Sequence, residues 1–234
     1  MDKSPDFLHL SQIQLFQGLS NDELGEVIRN SRLRQVVSGE YYFYQGDPAT
    51  AVFVLREGRI KLTQVGQDGQ QILLRVLTPW ALFAIIGITG NRAYPVSSLA
   101  AEDGSAFVWR SKDMIRLIQN YPRLAMNAMQ LLSDYVQEFQ DRLREIATER
   151  VERRLARSLV RLANQSGKKN EEGVVVDLHL SRQDLAEMVG TTLYTVSRIM
   201  SAWEDAGIIT SGRERVVIRN AHRLILIAED IPSL

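Results

Sequence analysis

The segment that most constrains this chain is Leu180 to Met200, LSRQDLAEMVGTTLYTVSRIM, where two helix starts flank one forced turn. Ser181 and Asp184 have the spacing for a side chain and backbone to cap each other, Gly190 suits the left-handed turn that ends a helix, and Thr192 can cap the next one. Leu185, Ala186, Val189, Val196 and Ile199 supply apolar contacts able to hold two short helices at a steep angle. The spacing predicts a helix-turn-helix whose second helix runs from Thr192 to Asp205. Ile208 to Ser211 and Val216 to Arg219 then read as a two-stranded wing with a basic tip at Gly212-Arg213. A helical pair with a glycine turn also occurs in proteins that never meet DNA, so the motif alone leaves the function open.

The upstream sequence narrows it. Tyr121-Pro122 opens a long helical pattern, because proline suits a first helical turn. Ala125, Met129, Leu132, Val136, Phe139, Leu143 and Ile146 follow at separations of 4, 3, 4, 3, 4 and 3 residues. That heptad stripe is what a helix needs to pack along an identical partner. The alternative is an amphipathic helix lying on its own domain, whose stripe is usually wider. Residues 151 to 163 form another amphipathic helix through Leu155, Leu159 and Leu162, and a polar loop from Lys168 to Gly173 leads to a strand, Val174 to Leu178. A dimer seam upstream and a basic hairpin downstream are what a two-fold DNA reader needs, since its recognition helices must sit about 34 Å apart to enter successive major grooves.

The N-terminal half is punctuated differently. A helical opening from Leu15 to Arg32, with Ser20 as N-cap, gives way to short apolar or alternating runs: Gln35 to Val37, Tyr41 to Tyr44, Ala51 to Leu55, Arg59 to Val65, Gln71 to Leu77 and Ser105 to Arg110. The breaks at Ser38-Gly39, Gly46-Asp47-Pro48, Glu57-Gly58 and Asp68-Gly69 mark turns of an all-β barrel or sandwich, with Asp68-Gly69 a hairpin signal. The expected fold is α+β. A jelly-roll-like β-roll sensor domain spans residues 1–120, a dimerisation helix 121–150, and a winged helix-turn-helix DNA-binding domain 151–234.

Composition removes several function classes. With 45% hydrophobic and 24% charged residues, the chain is neither disordered nor fibrous. No run of about 18 apolar residues occurs, and MDKSPDFLHL is not a basic region followed by an apolar one. The expectation is a cytoplasmic protein with no membrane partner. The absence of cysteine excludes disulfides, thiolate zinc sites, cysteine-ligated iron–sulfur clusters and cysteine nucleophiles. No GxxxxGK[ST], His-Glu-x-x-His or Gly-x-Ser-x-Gly pattern marks an enzyme. Net charge is zero, from 28 basic against 28 acidic residues, yet Val151 to Arg219 holds eleven basic and nine acidic ones, a weak positive bias.

Over nearly its whole length the chain resembles the Crp/Fnr superfamily of bacterial transcription regulators. The resemblance rests on Gly39-Glu40, Gly46-Asp47-Pro48-Ala49, Gly58-Arg59-Ile60-Lys61-Leu62 and Asp68-Gly69-Gln70 in the roll, and on Thr195-Val196-Ser197-Arg198 in the recognition helix. It implies a cyclic-nucleotide-binding-type β-roll, a central dimerisation helix and a winged helix that binds a palindromic promoter site. Effector binding in the roll would re-angle the DNA-binding domains through the long helix. The implied partners are promoter DNA, a second copy of the chain and, for an activator, RNA polymerase. A β-roll that regulates a partner protein by contact is the alternative, and it would leave the helix-turn-helix without a task.

The resemblance also points to an effector loop after Phe83. Cyclic AMP receptors carry Gly-Glu there and Arg-Ser about ten residues later, the arginine and backbone N–H groups holding the phosphate and the carboxylate the ribose. Here Ala84-Ile85 and Tyr94-Pro95 stand at those places, Arg92 lies two residues away, and the adenine-bonding helix positions are Phe139 and Gln140. An apolar Ile85 beside a ribose is unfavourable. Cyclic AMP is therefore not the expected effector. The replacement set is Phe83, Ile85, Ile86, Tyr94 and Phe139, flanked by Leu82 and Ile88, with Arg92 at its edge. It either fills the roll or lines a pocket for a haem-bound gas or a small organic molecule. Haem needs an axial ligand, and His9 is the only histidine outside the DNA-binding half. No cofactor is identified by the sequence.

The expected DNA contacts begin with Leu193, Tyr194, Ser197 and Arg198 on the first turn and a half of the second helix. Arg198 suits a guanine, whose two acceptors match its fork; the alternatives are a phosphate contact or an ion pair with Asp184 or Glu187. Ser197, Thr191 and Thr192 suit phosphates, as do Arg182 and the wing residues Arg213 and Arg215. Many relatives carry glutamate where Tyr194 stands, so the preferred half-site should differ from theirs at one base pair.

Overall fold

A computed structural model describes residues 5–89, 92–176, 178, 180–212 and 215–231. The chain divides into two units, one running to Gln64 and resuming from Leu77 to Phe139, the other formed by Val65–Val76 and Gln140 onward.

The first unit opens with α1 (Pro5–Gln12), a single 3-10 turn (Gln14–Phe16) and α2 (Asn21–Arg29). The expected helix is thus shorter than Leu15 to Arg32. Ser20 starts α2 with a reciprocal cap, its backbone N–H donating to Glu23 Oε2 at 2.6 Å while its hydroxyl accepts from the Glu23 N–H. The roll is built from β1 (Arg32–Val36), β2 (Tyr41–Phe43), β3 (Ala51–Glu57), β4 (Ile60–Val65), β5 (Gln71–Leu77), β6 (Leu82–Phe83), β7 (Ser97–Ala100) and β8 (Gly104–Arg110). They make two sheets, in the orders β1-β8-β3-β6 and β2-β7-β4-β5. The pairing is antiparallel, with Val54 opposite Phe107 and Leu62 opposite Ser98.

Two turns of the roll lie back to back. Gly58 has φ +86°, and a Cβ there would come 2.6 Å from the Asp103 carbonyl oxygen. A tighter approach seats the 3-10 turn Ile85–Ile88 against β3: a Cβ on Gly87 would lie 2.0 Å from the Ala51 carbonyl oxygen. Neither backbone segment is a flexible side chain that can swing aside. Gly87→Ala should therefore cost about 1–3 kcal/mol, and an unchanged thermal unfolding midpoint would contradict this packing.

The strand pattern ends at α3 (Ser111–Asn120), a helix the sequence reading passed over, and α4 (Pro122–Thr148) follows. Met114 and Leu117 bury one face of α3 beside Trp109, whose indole N–H donates to the Val27 carbonyl at 2.7 Å. Leu124, Ala128 and Leu131 bury one face of α4 in the same core. The opposite face of α4 is exposed.

The second unit contains α5 (Val151–Ser166), β9 (Lys168–Asn170), β10 (Gly173–Val176), α6 (Arg182–Val189), α7 (Leu193–Asp205), β11 (Ile209–Gly212), β12 (Arg215–Ile218) and α8 (Ala221–Glu229). Its sheet order is β11-β12-β10-β9. Leu155, Leu159, Val196, Met200, Trp203 and Leu224 lie at the centre of its core. Leu73 and Val76 of β5 join that core, and Gln165 and Arg142 donate to the carbonyls of Val76 and Leu74 at 3.1 and 2.7 Å. That docking draws part of the expected first domain into the second unit. The long helix is likewise shared between the units at Phe139 and Gln140, whereas the expectation made 121–150 a segment of its own.

Candidate nucleic-acid interface and effector domain

The helix-turn-helix is fixed by local hydrogen bonds. Ser181 Oγ accepts from the Asp184 N–H at 3.0 Å, and Asp184 Oδ2 accepts from the Ser181 N–H at 2.8 Å. Gly190 ends α6 at φ +64°, and Thr192 Oγ1 accepts from the Thr195 N–H at the start of α7. The turn is also held from outside. Arg154, nearly buried on α5, donates to the carbonyls of Val189, Gly190 and Glu149 at 3.0, 3.3 and 2.7 Å. A guanidinium on the Val189 and Gly190 carbonyls satisfies acceptors at the end of α6 and favours the negative end of its dipole. Val196, Met200 and Trp203 fasten the inner face of α7, and the Trp203 indole donates to Glu152 at 3.0 Å.

The outer face of α7 is free. Tyr194 is 76% exposed, Leu193 and Arg198 are exposed, and Ser197 is half-buried. Asp184 is engaged with Ser181, and Gln183 donates to Glu187; among the described residues Arg198 pairs with neither acid. The internal ion pair that competed with a base contact is thus not formed. Ser201, exposed one turn beyond Ser197, extends the same stripe, and helical spacing could have added it. Thr191 is half-buried in the turn, and Thr192 serves as a cap.

Arg182, expected at the DNA, is tied inside the domain. It donates to Ser211 Oγ at 3.0 Å and lies 3.7 Å from Glu204, which accepts from the Ser211 N–H at 2.9 Å. It joins α6, α7 and the wing. Arg215 is exposed at the start of β12, whereas Arg213 lies outside the described residues. The acids Glu145 and Glu149 were not singled out from sequence: Arg161 approaches Glu145 at 2.7 Å, and Arg157 lies within 3.8 Å of both.

The outward stripe of α4 consists of Met129, Leu132, Val136, Phe139, Leu143 and Ile146, each about half exposed or more. Ala125 is half-buried, and Met126, at 61% exposed, opens the stripe in its place.

The six residues expected at the effector pocket differ in exposure. Phe83 and Tyr94 are buried, Ile85 and Ile86 are half-buried, and Arg92 and Phe139 are exposed. Phe83 and Tyr94 belong to a ring cluster with Tyr42, Phe43 and Phe53. Phe43 and Tyr94 stack with centroids 3.9 Å apart, and Phe53 and Phe83 at 5.0 Å. The Tyr94 hydroxyl is occupied by the backbone of Ala51, accepting from its N–H at 3.1 Å and donating to its carbonyl at 2.9 Å. The Tyr42 hydroxyl is buried with no hydrogen-bond partner, and burial pushes it up to about 12 against the pull of Arg34. His9 is exposed on α1, its ring stacked on Trp80 at 4.4 Å.

A β-roll and a long helix leading to a capped, outward-facing winged helix-turn-helix define a two-domain transcription regulator. Residues 33–121 match the cyclic nucleotide-binding domain and residues 153–227 the Crp-like helix-turn-helix domain; the chain belongs to the Crp/Fnr superfamily. The cyclic AMP receptor protein of Thermus thermophilus is 28% identical over 92% of this chain and 96% of its own. The global nitrogen regulator of Synechococcus elongatus is 27% identical over 85% and 90%. Among solved structures, the catabolite activator protein of Thermus thermophilus matches with TM-score 0.54 at 27% identity, over 94% of this chain and all of that one. The c-di-GMP responsive regulator CLP of Xanthomonas campestris gives 0.73 at 18% identity over 85% and 99%, a likeness of fold. No described helix is long and apolar enough to cross a membrane.

Proposed function

We propose that the chain acts as a homodimer that binds a palindromic promoter sequence and is controlled through its β-roll by an effector other than cyclic AMP. The observation that carries the DNA reading is α7: capped and anchored, it presents Leu193, Tyr194 and an unpaired Arg198 outward. A β-roll acting by protein contact alone gives that face no task. A band shift on promoter DNA tests the reading, because phosphate contacts release counterions and affinity must fall steeply with salt. Failure to bind any palindrome at low salt would reject it. For an activator, RNA polymerase is the further partner.

The effector reading is supported by the side chains present. A cyclic phosphate needs a cation and N–H donors, and a ribose hydroxyl needs an acceptor. Ile85 supplies no acceptor, Pro95 no donor, and the Tyr94 hydroxyl is already committed to Ala51. Calorimetry with cyclic AMP should show no binding at physiological concentration. A micromolar dissociation constant with one site per chain would reverse this conclusion, and would place this chain with the Thermus relative whose name declares that ligand.

A further inference from the structure

A cleft of about 610 Å3 opens in the roll among β1, β2, β3, β8 and the first turn of α3. Of the residues expected at an effector pocket, Tyr94 alone lines it. Its floor is aromatic, from Tyr42, Phe43, Phe53 and Tyr94, and its rim carries Arg34, Arg110 and Lys112 against one carboxylate, Asp47. The volume lies within the roughly 300–1,000 Å3 of small-molecule sites, and an apolar lining with a few polar groups is their usual composition.

Four features of this cleft call for an anion with a flat apolar body. Among the described residues, none of the three rim cations has a carboxylate partner. Arg34 is already positioned: it donates to the carbonyls of Tyr42 and Tyr41 at 2.8 and 3.0 Å and stands 5.2 Å over the Tyr42 ring. A fixed guanidinium loses less freedom on meeting a carboxylate than a mobile one. The N-terminus of α3, whose Ser111 and Lys112 line the cleft, has Arg110 as its N-cap and no side-chain cap; the Ser111 N–H donates to the Thr50 carbonyl at 2.8 Å and Asp113 stands in the same turn, and the positive end of the helix lies at the cleft. Finally, Tyr42 is only 4% exposed, and its hydroxyl lacks any acceptor. A buried unpaired donor is costly in an empty site and rewarding once an oxygen reaches it.

A carboxylate supplies both the negative charge for the rim and an acceptor for the phenol, and a ring can lie on the stacked pair Phe43 and Tyr94. Inorganic phosphate would leave the aromatic floor uncovered. We propose that this cleft binds a small aromatic carboxylate, with its ring on Phe43, Phe53 and Tyr94 and its carboxylate between Arg34 and the N-terminus of α3. The inference deepens the proposed function by naming an effector class, and it rests on that reading only for its consequence at DNA. α3 runs through Tyr121 directly into α4, the helix that carries the outward stripe.

Calorimetry on the full chain tests it, with phenylacetate and 1-naphthoate as probes and phenylacetamide and acetate as controls. Each aromatic acid should bind once per chain. The amide and acetate should bind at least about tenfold more weakly, since each removes either the charge or the ring. Arg34→Gln should weaken phenylacetate binding by about tenfold, and Lys112→Gln, at an exposed site tolerant of change, by a few-fold. Tyr42→Phe should weaken binding without lowering the thermal midpoint, because the lost hydroxyl has no partner to lose. Equal binding of phenylacetate and phenylacetamide, or no binding of either acid at millimolar concentration to protein with a native midpoint, overturns the proposal. Band shifts on the same variants separate the two readings. Loss of acid binding with DNA binding intact places the acid's site in this cleft. A chain that binds the acid but no DNA refutes the regulator and leaves the cleft standing.

Discussion

Val136→Glu combined with Leu143→Glu should convert the protein into a monomer. The inner face of α4 is consumed by its own unit, through Leu124, Ala128 and Leu131, and so cannot be the face that meets a partner. The outer face repeats apolar residues at heptad spacing along a helix of 27 residues, and Val136 and Leu143 are 57% and 58% exposed in the single chain. Burying each large apolar side chain contributes roughly 1.5–3 kcal/mol, so the double substitution removes about 6–12 kcal/mol across two protomers and adds four carboxylates to a dry seam. That exceeds what a micromolar dimer can lose. Because both positions are exposed in the single chain, its fold should survive with an unchanged circular dichroism spectrum. Sedimentation gives the answer: a doubly substituted protein that still runs as a dimer would mean that the copies meet elsewhere. The monomer should also lose most of its affinity for a palindrome, since its two half-sites would then be bound independently.

Arg198→Ala should remove sequence discrimination at one position of each half-site and cost about 1–3 kcal/mol on the preferred site. Arg198 stands exposed with no acid partner, and α7 is held by the Thr192 cap and the buried Val196, Met200 and Trp203, so the helix should survive the truncation. Arg215→Ala on the wing should instead weaken all sequences alike and shrink the salt slope by about one unit. Binding of both variants to a randomised palindrome separates the roles. If Arg198→Ala brings a uniform loss with the preference intact, this arginine holds phosphate and another residue reads the base. Tyr194, 76% exposed near the start of the same helix, is then the first to examine.

The parts of this protein legible in its sequence are those built from contacts a few residues apart. The capping box at Ser181, the left-handed Gly190 and the Thr192 cap each close a ring within one helical turn, so residue type and spacing specify them. The hairpin turns and the α4 stripe are legible for the same reason: period and punctuation are local. α3 was missed although Met114 and Leu117 have helical spacing, because the stretch is short and lies between a strand and a proline that each offered a boundary.

The candidate sites divide along the same line. The outward face of α7 follows from helix period once the helix is placed, but that Arg182 would bind Ser211 and Glu204 rather than stay free depends on the wing folding back over α6. Arg154 reaches the helix-turn-helix from 35 and 36 residues upstream, and no local pattern announces it. The cleft of the roll is the extreme case. Arg34, Tyr42, Phe53, Tyr94 and Lys112 share no period and come from three strands, a loop and a helix end. Sequence by itself therefore determined the succession of β-rich half, long helix and helix-turn-helix, and the apolar stripe, because backbone hydrogen bonds and side-chain period act over a turn or a hairpin. Which arginines stay free, where β5 docks and which rings surround a cavity were decided by tertiary structure alone, because they depend on burial and charge pairing between segments that only the folded chain brings within a few ångströms of each other.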